Sequence, residues 1–573
     1  MKIHLLPAVL ATLALSAQAN EAAVPASDAA ADGGDSADTP KKLPKQELTP
    51  QIVYELLLAE IAGSRGQTTL SSEAYLDLAR STRDPRVARR AAEVAVYAHR
   101  YDLALDAAKL WAETEPDSPQ PGQMVIALLA ASGQGDALAA ELSKQLAAGG
   151  RDGIAPQLLQ LNRVMARFQD KNAALGVVDK VTAPYLDMPE AHFARAQASH
   201  SAGDITRAVA ELDRAMALRP GWEPGALARA QLMTDSAAAS HYLGDFVAAN
   251  PKARDARLAY ARSLVGLKRY AEARREFETL LTDHQGNGDV VYAVAMLSLQ
   301  LNDVDEAEKE LKRLVEMNHA EADAARLYLG QIEDGRKRPD EALKWYGQVA
   351  SGSSQYLPAR MRMAQTYAHE QKIAEARAVL QESVASDVGE RSQLLIAESQ
   401  VLREAGRTDE AYAVLADGLA GHPDQPDLLY EAALLAERVG KLDVVEADLR
   451  RLIELKPDYA HAYNALGYSF ADHNVHLDEA QRLIDKALQL SPDDPFILDS
   501  KGWVLFRRGD NGGALDALNK AFALRADPEI AAHLGEVLWA MGRKDEARKT
   551  WGDALKANPG NDVLVGTVKK FAP

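Results

Sequence analysis

Apolar residues recur at helical spacing through nearly the whole chain of 573 residues. The first clear helix begins at Thr49-Pro50, where a threonine N-cap is followed by proline at the first helical position. Its apolar positions are Ile52, Leu56, Ala59 and Ile61. No run alternates between apolar and polar residues with period two, and no Asn-Gly turn joins two apolar runs. The pattern predicts an all-α protein.

A small residue recurs about every 34 positions, in the second helix of each predicted helix pair. These positions are Ala104, Ala137, Ala174, Ala208, Ala273, Ala307, Ala342, Ala376, Ala411, Ala480, Ala514 and Ala547, with Val445 between Ala411 and Ala480. The interval from Ala208 to Ala273 leaves room for one degenerate unit around Ala238. The spacing predicts about 14 helix pairs, with irregular packing around Ala174 and Ala238.

Glycines occur between the paired helices, at Gly203, Gly406, Gly440, Gly509 and Gly542. Such short helix–helix connections make neighbouring helices antiparallel. The unit from Pro528 to Pro559 has the clearest pattern, with Leu534-Gly535 in the first helix and Ala547, Trp551 and Ala554 in the second. This unit resembles the tetratricopeptide repeat, and the resemblance extends over roughly Pro50 to Pro559. It implies a right-handed superhelical solenoid with a concave groove.

The resemblance also implies which positions of each first helix face the groove. In the last three units they include His461, Asn464, Tyr468, Trp503, Phe506, Arg507 and Trp539. Exposed aromatic residues beside arginine and asparagine are common anchors at protein-binding surfaces, so these residues are the candidate protein-binding site. The alternative is that the aromatic residues pack between adjacent first helices as core.

A second candidate site is a basic patch formed by Arg83, Arg86, Arg89 and Arg90. In an acidic chain it could receive an acidic segment of a partner. The alternative is a solvated face on which these arginines pair locally with Asp84 and Glu93, and such exposed pairs contribute little to stability.

The two ends of the array differ from its middle. The sequence predicts a signal peptide over 1–19, cleaved after Ala19. The prediction rests on the basic start at Lys2 and His4, the apolar run Leu5 to Leu15 and the small residues of Ala17-Gln18-Ala19. A retained anchor is the alternative. Residues 20–48 have few large apolar side chains and are expected to form a disordered leader. The chain then continues with a helix pair at 49–84, an array with degenerate units at 85–459 and well-formed units at 460–573.

The composition of the chain excludes several classes of function. The chain has no cysteine, which excludes disulfides, thiolate chemistry and lipid attachment at a lipobox cysteine. Its net charge is −18, or −19 once Lys2 leaves with the signal (64 basic against 83 acidic residues), which argues against nucleic-acid binding. The apolar run of the predicted signal is too short to span a membrane, and no other stretch of about 20 apolar residues exists.

Known catalytic and nucleotide-binding motifs are missing, so no catalytic residue, cofactor or metal is expected. His473 and His476 are the nearest approach to a metal pair, but no third histidine or cysteine ligand is fixed by their spacing, which favours a solvated turn. An enzyme that uses acidic residues of the groove remains the alternative from another functional class.

Three stretches carry a narrower resemblance: Arg65-Gly66-Gln67, the run from Thr82 to Ala91, and the run from Asp499 to Leu505. Together they resemble exported Gram-negative tetratricopeptide adaptors that partner a carboxyl-terminal processing protease. The resemblance implies a periplasmic scaffold that delivers cargo, such as cell-wall hydrolases, to that protease. A scaffold for assembly or secretion of a surface polymer, exopolysaccharide or pilus, is the alternative.

Overall fold

A computed structural model describes residues 43–148, 150–166, 168–283 and 286–571. Within these ranges the regular structure is helical and contains no β-strand. There are 31 α-helices in the described ranges, near the 28 helices that the prediction of about 14 pairs implies. The predicted signal peptide and most of the predicted leader lie outside the described residues. The chain divides into two compact units, with the boundary between Asp303 and Val304.

The N-terminal unit contains fifteen α-helices within its described residues and a short 3-10 helix, Ala183–Tyr185. The helices are α1 (Pro50–Ser64), α2 (Thr68–Thr82), α3 (Pro85–Tyr97), α4 (Tyr101–Thr114), α5 (Pro119–Ala131), α6 (Gly135–Ala148), α7 (Gly150–Met165), α8 (Lys171–Thr182), α9 (Pro189–Ser201), α10 (Ile205–Leu218), α11 (Glu223–Gln231), α12 (Ser236–Ala249), α13 (Arg254–Gly266), α14 (Tyr270–Asp283) and α15 (Gly288–Gln300).

The C-terminal unit contains the remaining helices. They are α16 (Val304–Glu316), α17 (Ala322–Gly335), α18 (Pro339–Gly347), α19 (Tyr356–His369), α20 (Ile373–Gln381), α21 (Val388–Glu404), α22 (Thr408–Gly421), α23 (Pro426–Arg438), α24 (Leu442–Leu455), α25 (Ala460–Asp472), α26 (Leu477–Leu490), α27 (Pro495–Arg507), α28 (Asn511–Leu524), α29 (Pro528–Ala540), α30 (Lys544–Ala557) and α31 (Asp562–Phe571).

Turns between paired helices use left-handed backbone, as the glycine positions predicted. Gly203 and Gly509 have φ of 82° and 89°, values that cost glycine little because it has no Cβ. Several other turns place a non-glycine residue in this conformation, including Lys268, Asn302 and Lys337, each with φ of 59°. The tight turn is therefore a property of the repeat, and glycine is only its most favourable occupant.

The predicted ladder of small residues lies at the fourth position of each second helix. The positions from Ala273 to Ala547 are buried, which confirms the register there. Two positions were wrong by one residue, because α6 begins at Gly135 and α12 at Ser236. Leu138, which is buried, therefore takes the place predicted for the exposed Ala137, and Ala239 takes that of Ala238.

A glycine on the first helix faces a large side chain on the second in several pairs of the C-terminal unit. A Cβ added to Gly535 would lie 2.0 Å from Nε1 of Trp551, and one added to Gly330 would lie 2.2 Å from Cε1 of Tyr346. The large ring thus occupies the volume that a side chain would need. The paired helices therefore cross closely at these glycines.

Packing is irregular around α7, near the unit for which irregular packing was predicted. Paired helices such as α9 and α10 pack along their length, but α7 and α8 make few contacts with each other. Instead α7 packs on α9 and α6 packs on α8. Among the helices that the structure describes, none combines the length and apolar character needed to cross a bilayer.

Candidate functional site

The residues predicted to face the groove lie on three first helices of the C-terminal unit, α25, α27 and α29. Contacts join α25 to α27 and α27 to α29, so residues one repeat apart come together. Asp494 and Asp527 cap α27 and α29 by accepting hydrogen bonds from the first backbone N–H groups of each helix. These caps fix where each helix begins and therefore which side chains meet.

A buried histidine–aspartate pair lies at the centre of this surface. His533 Nδ1 is 2.9 Å from Asp499 Oδ2, and the two residues are 9% and 7% exposed. Burial acts to lower the pKa of His533, but the charge and hydrogen bond of Asp499 outweigh it, so the pKa of His533 is raised. The pair therefore favours a protonated His533, whose positive charge is held by the carboxylate of Asp499 from the preceding unit.

Two predicted aromatic residues pack around this pair. The Trp503 ring stacks on His533 with 4.3 Å between ring centroids, and its Nε1 donates to Asp472 Oδ1 at 3.2 Å. Trp503 is only 4% exposed, so the alternative of a core residue between first helices is confirmed for it. The Tyr468 hydroxyl lies 3.4 Å from His533 Nε2. Trp503 therefore supports this surface from its buried side.

Arg507 and Asn464 carry unsatisfied hydrogen-bonding atoms. Arg507 Nη2 donates to the carbonyl oxygen of Asp472 at 3.3 Å, and the guanidinium lies over the Trp503 ring at 5.8 Å. Arg507 Nε and Asn464 Oδ1 are buried and have no hydrogen-bond partner among the described residues. Both atoms are enclosed by neighbouring groups, so they are unsatisfied within the fold and are not presented to a partner.

The other predicted residues do not form one continuous aromatic track. Phe506 is partly exposed and packs against Trp503, with 5.4 Å between centroids. Trp539 belongs to a different cluster with Trp551 and Phe571, where Lys544 and Arg548 lie over its ring. His461 is exposed and lies beside Tyr459. The predicted track is therefore two clusters, one at α25–α27 and one at the last helices.

The surface around Tyr468 is acidic. Burial raises the pKa of the Tyr468 hydroxyl, and nearby carboxylates add to the effect. These carboxylates are Asp472, Asp499, Glu529 and Glu437. Glu437 lies on α23 and Asp472 on α25, so the acidic character extends over successive first helices. It favours a partner segment that carries basic residues.

Sequence reasoning did not identify His533 as part of the site, and it gave Asp499 no role. The signal that could have found them is their separation of 34 residues, one repeat length. Side chains at equivalent positions of adjacent units meet in a solenoid, so a complementary pair at that separation predicts contact.

A second surface, which the sequence did not predict, lies on α1. Helix packing buries Ala59 and Ala62, whereas large apolar side chains of the same helix stay in solvent. Tyr54 is 62% and Leu57 is 53% exposed, and Val53, Leu56 and Ile61 are also exposed. Leu56 and Ile61 thus do not belong to the packing stripe predicted for α1. We call this exposed apolar side of α1 the α1 face, and Leu48 before it and Leu70 on α2 are exposed as well.

The basic patch agrees with its alternative interpretation. Arg86 pairs with Asp84 at 2.7 Å, and Arg89 pairs with Glu93 at 2.8 Å. Arg83 pairs with Glu113 at 3.1 Å, while Arg90 lies 3.9 Å from Glu93. All four arginines are more than half exposed, so the patch is a solvated face with local ion pairs.

The two histidines of the turn after α25 have separate partners. His473 Nδ1 lies 2.9 Å from the carbonyl oxygen of Ser469 and 3.4 Å from Glu437, whereas the His476 ring packs on Phe470. Within the described ranges, no three metal-ligating side chains come together.

Comparison with known proteins gives the same repeat. Two sequence profiles described as tetratricopeptide repeat match the chain, one at 264–329 and 335–398, the other at 230–289, 430–495 and 500–562. A TPR repeat-containing protein of Pseudomonas aeruginosa is 33% identical over 522 residues, 91% of this chain and 88% of that protein.

Solved structures of repeat proteins are also similar to the chain. A thermophilic TPR protein of Thermus thermophilus is 24% identical, with a TM-score of 0.29, over 31% of this chain and 97% of that one. The APC/C hetero-tetramer Cut9–Hcn1 is 15% identical, with a TM-score of 0.30, over 85% of this chain and 97% of the matched one. The profile matches, together with the alignment to the Pseudomonas protein over most of both sequences, show that the chain belongs to the tetratricopeptide repeat family.

Proposed function

We propose that the chain is a non-catalytic adaptor of the bacterial periplasm, which holds a protease and the protein that this protease degrades. The observation that carries the proposal is the presence of two chemically different candidate surfaces, one in each compact unit. The α1 face in the N-terminal unit is apolar, and the surface of α25, α27 and α29 is acidic and polar. An adaptor must bind two proteins at once, and two unlike surfaces let it do so without competition.

The α1 face is the proposed docking site for the enzyme. Large apolar side chains in water are unfavourable by about 25 cal/mol per Å2 of exposed surface, so a contiguous set of them favours association. Helices that bind membrane surfaces usually carry lysine or arginine, but α1 contains neither between Pro50 and Ser64. Val53, Leu57 and Ile61 are four residues apart and form one ridge, which suits packing against a helix of another protein.

The acidic surface is the proposed site for the cargo protein. It offers the partly exposed side chain of Arg507 to a polar group of the cargo and the partly exposed Phe506 to an apolar side chain. The carboxylates around Tyr468 favour a segment with basic residues. Because the cargo is held near the enzyme, even weak contacts raise its local concentration.

The resemblance of Thr82 to Ala91 and of Asp499 to Leu505 supports a carboxyl-terminal processing protease as the enzyme and cell-wall hydrolases as the cargo. The signal-like segment 1–19 supports export, and the absence of cysteine from the sequence suits a tether other than a lipobox. The net charge of −18 supports protein partners over nucleic acid.

Recovery of partners from a periplasmic extract tests the proposal. With the mature chain as bait, Leu57→Glu should lose the protease and keep the cargo, whereas Arg507→Ala should lose the cargo and keep the protease. Tyr97→Glu, at an exposed aromatic on α3, and Arg508→Ala, one residue further along, are the matched controls and should keep both.

Two results would contradict the proposal. One is loss of both partners in either variant while helicity and melting stay unchanged, which would mean a single shared surface. The other is recovery of no protease and no hydrolase. Recovery of polymer-export proteins instead would favour the role in surface-polymer assembly.

A further inference from the structure

A cavity of the N-terminal unit lies between α5, α6 and α7, away from both surfaces described above. Its volume is about 510 Å3, which is within the range of small-molecule pockets. Helix α7 packs mainly on α9 and makes few contacts with α5 and α6, so the chain does not fill the space between these three helices. The cavity is therefore large enough to hold a small molecule.

The floor of the cavity is apolar. It is formed by the buried side chains of Ile126, Leu142, Leu146 and Leu161. These side chains offer no hydrogen bond, so the part of a ligand that covers them must need none. An alkyl chain meets this condition, whereas a polypeptide main chain brings an N–H and a C=O group at almost every residue.

Arg163 is the one charged side chain among the described residues that line the cavity. It lies in the last turn of α7, is exposed, and forms no ion pair or hydrogen bond with another residue in the described ranges. Side chains of a helix lean towards its N-terminus, so the guanidinium of a residue in the last turn is directed back along α7. Since a guanidinium can donate two parallel hydrogen bonds to a carboxylate, Arg163 provides a place for an anionic head group.

Four glutamines complete the polar part of the lining. They are Gln123 on α5, Gln145 on α6, and Gln157 and Gln160 on α7. Their amides remain in contact with solvent, so an alkyl chain on the floor does not leave them buried without partners. Glutamine amides can donate to a carboxylate but carry no charge. The described lining therefore offers a single positive charge beside an apolar floor.

We propose that this cavity binds a fatty acid, with its alkyl chain on the apolar floor and its carboxylate paired with Arg163. A carboxylate carries one negative charge and matches a single arginine. A phosphate monoester carries about −1.5 to −2 at pH 7 and would bring more negative charge than the lining neutralises. The inference is independent of the proposed adaptor function, since neither the α1 face nor the acidic surface takes part.

Calorimetric titration of the full mature chain with dodecanoate, below the concentration at which it forms micelles, tests the proposal. Decanoate should bind about tenfold more weakly, because two fewer methylene groups are buried. Arg163→Gln should weaken dodecanoate at least about fivefold and leave the binding of dodecanol unchanged. Lys144→Gln removes a positive charge from an exposed position of α6 outside the cavity, so it is the matched control and should bind dodecanoate like the parent.

A second pair of variants tests the floor. Ala127→Trp fills the cavity from α5 and should weaken dodecanoate and dodecanol alike, at least about tenfold. Ala131→Trp, at an exposed position of α5 outside the cavity, should bind both like the parent. Hydrogen exchange should slow within 119–165 when dodecanoate binds, which locates the site without any substitution.

Leu57→Glu separates this inference from the adaptor proposal. The α1 face is apolar and is the other place where an alkyl chain could adsorb, so the variant should keep the parent affinity for dodecanoate. Loss of dodecanoate binding in Leu57→Glu would move the site to the α1 face and overturn the inference.

Equal affinity of the parent and Arg163→Gln for dodecanoate would also overturn it, because the arginine would then not hold the head group. So would tighter binding of dodecyl phosphate than of dodecanoate, or binding of an acidic peptide by a chain that does not bind dodecanoate. Absence of any dodecanoate binding would have the same consequence.

Discussion

The buried pair of His533 and Asp499 leads to a prediction about stability and pH. Replacing Asp499 with asparagine keeps the shape of the side chain and one hydrogen-bond acceptor but removes its charge. Loss of one partner from a buried ion pair typically lowers the free energy of unfolding by about 3–5 kcal/mol. The asparagine side chain would still accept from Nδ1, so we expect a loss of about 3 kcal/mol when His533 is protonated.

The sign of the pH dependence follows from the direction of the pKa shift. Because the pKa of His533 is raised above 6.5 in the folded protein, the pair stabilises the fold fully below about pH 6.5. That contribution is lost as the pH rises through the folded pKa. In Asp499→Asn only the charges of Glu536 and Asp472 still oppose the effect of burial, so the pKa of His533 falls and the variant loses stability, relative to the parent, as the pH falls.

Urea unfolding followed by tryptophan fluorescence at pH 5.5 and pH 9 measures both effects. Trp503 stacks on His533, so the signal reports this part of the C-terminal unit. The difference between parent and variant should be about 3 kcal/mol at pH 5.5 and about 1 kcal/mol or less at pH 9. Asp493→Asn, which removes an exposed partner of Lys520, is the matched control and should change stability by less than about 0.5 kcal/mol.

A difference below 1 kcal/mol at pH 5.5, or one that does not depend on pH, would refute the reasoning. Either result would mean that His533 is neutral in the folded protein and that Asp499 acts only as a hydrogen-bond acceptor. A nuclear magnetic resonance titration of the His533 ring would then show a pKa at or below 6.5.

Four further substitutions test the packing and electrostatics of the C-terminal unit. Gly535→Ala should destabilise it by about 1–3 kcal/mol, because the new Cβ would collide with the ring of Trp551. Gly552→Ala, in the middle of α30 with nothing within 4 Å of the new Cβ, should instead stabilise it by about 0.5–1 kcal/mol. Burial raises the pKa of Asp448 to about 6, so its ionised form opposes folding at neutral pH. Asp448→Asn should therefore stabilise the fold by about 1 kcal/mol at pH 8, allowing for partial exposure, and by almost nothing below pH 4. Trp503→Ala should cost about 3–5 kcal/mol, as expected for a buried tryptophan.

Urea denaturation of each variant beside the parent chain decides these four outcomes. Equal effects of Gly535→Ala and Gly552→Ala would show that the helices do not cross closely at Gly535. A gain from Asp448→Asn that is the same at pH 4 and pH 8 would exclude titration of that carboxyl as its cause. If Trp503→Ala unfolds like the parent chain, Trp503 would again be the candidate for an exposed binding anchor.

Most of the fold could be predicted from the chain alone. Small residues such as Ala273, Ala411 and Ala547 recur at the helix crossing because larger side chains would hold the paired helices apart. Their spacing therefore gives the number and register of the units. The register failed at Ala137, where the predicted position is one residue early. The crossing position of this unit is occupied by Leu138, so a pattern of alanines pointed to the residue beside it.

The candidate sites were predicted less well. Family resemblance placed Trp503 and Tyr468 on the right face of the right helices, but it could not tell an exposed ring from a buried one. That difference depends on His533, which comes from the next unit and covers Trp503. The α1 face was missed because an apolar helix in a sequence is expected to be covered, and only the structure shows that one side of α1 has no neighbour within the described ranges.

The sequence by itself determined the repeat: helix pairs, their period, their turns and their small crossing residues all depend on contacts between positions close in the chain. The tertiary structure alone decided which groups share a surface, because the pairing of Asp499 with His533 and the packing of α7 on α9 depend on how successive units stack. Stacking is set by the fit of whole helices, so it can differ from one unit to the next without a change in the repeat pattern.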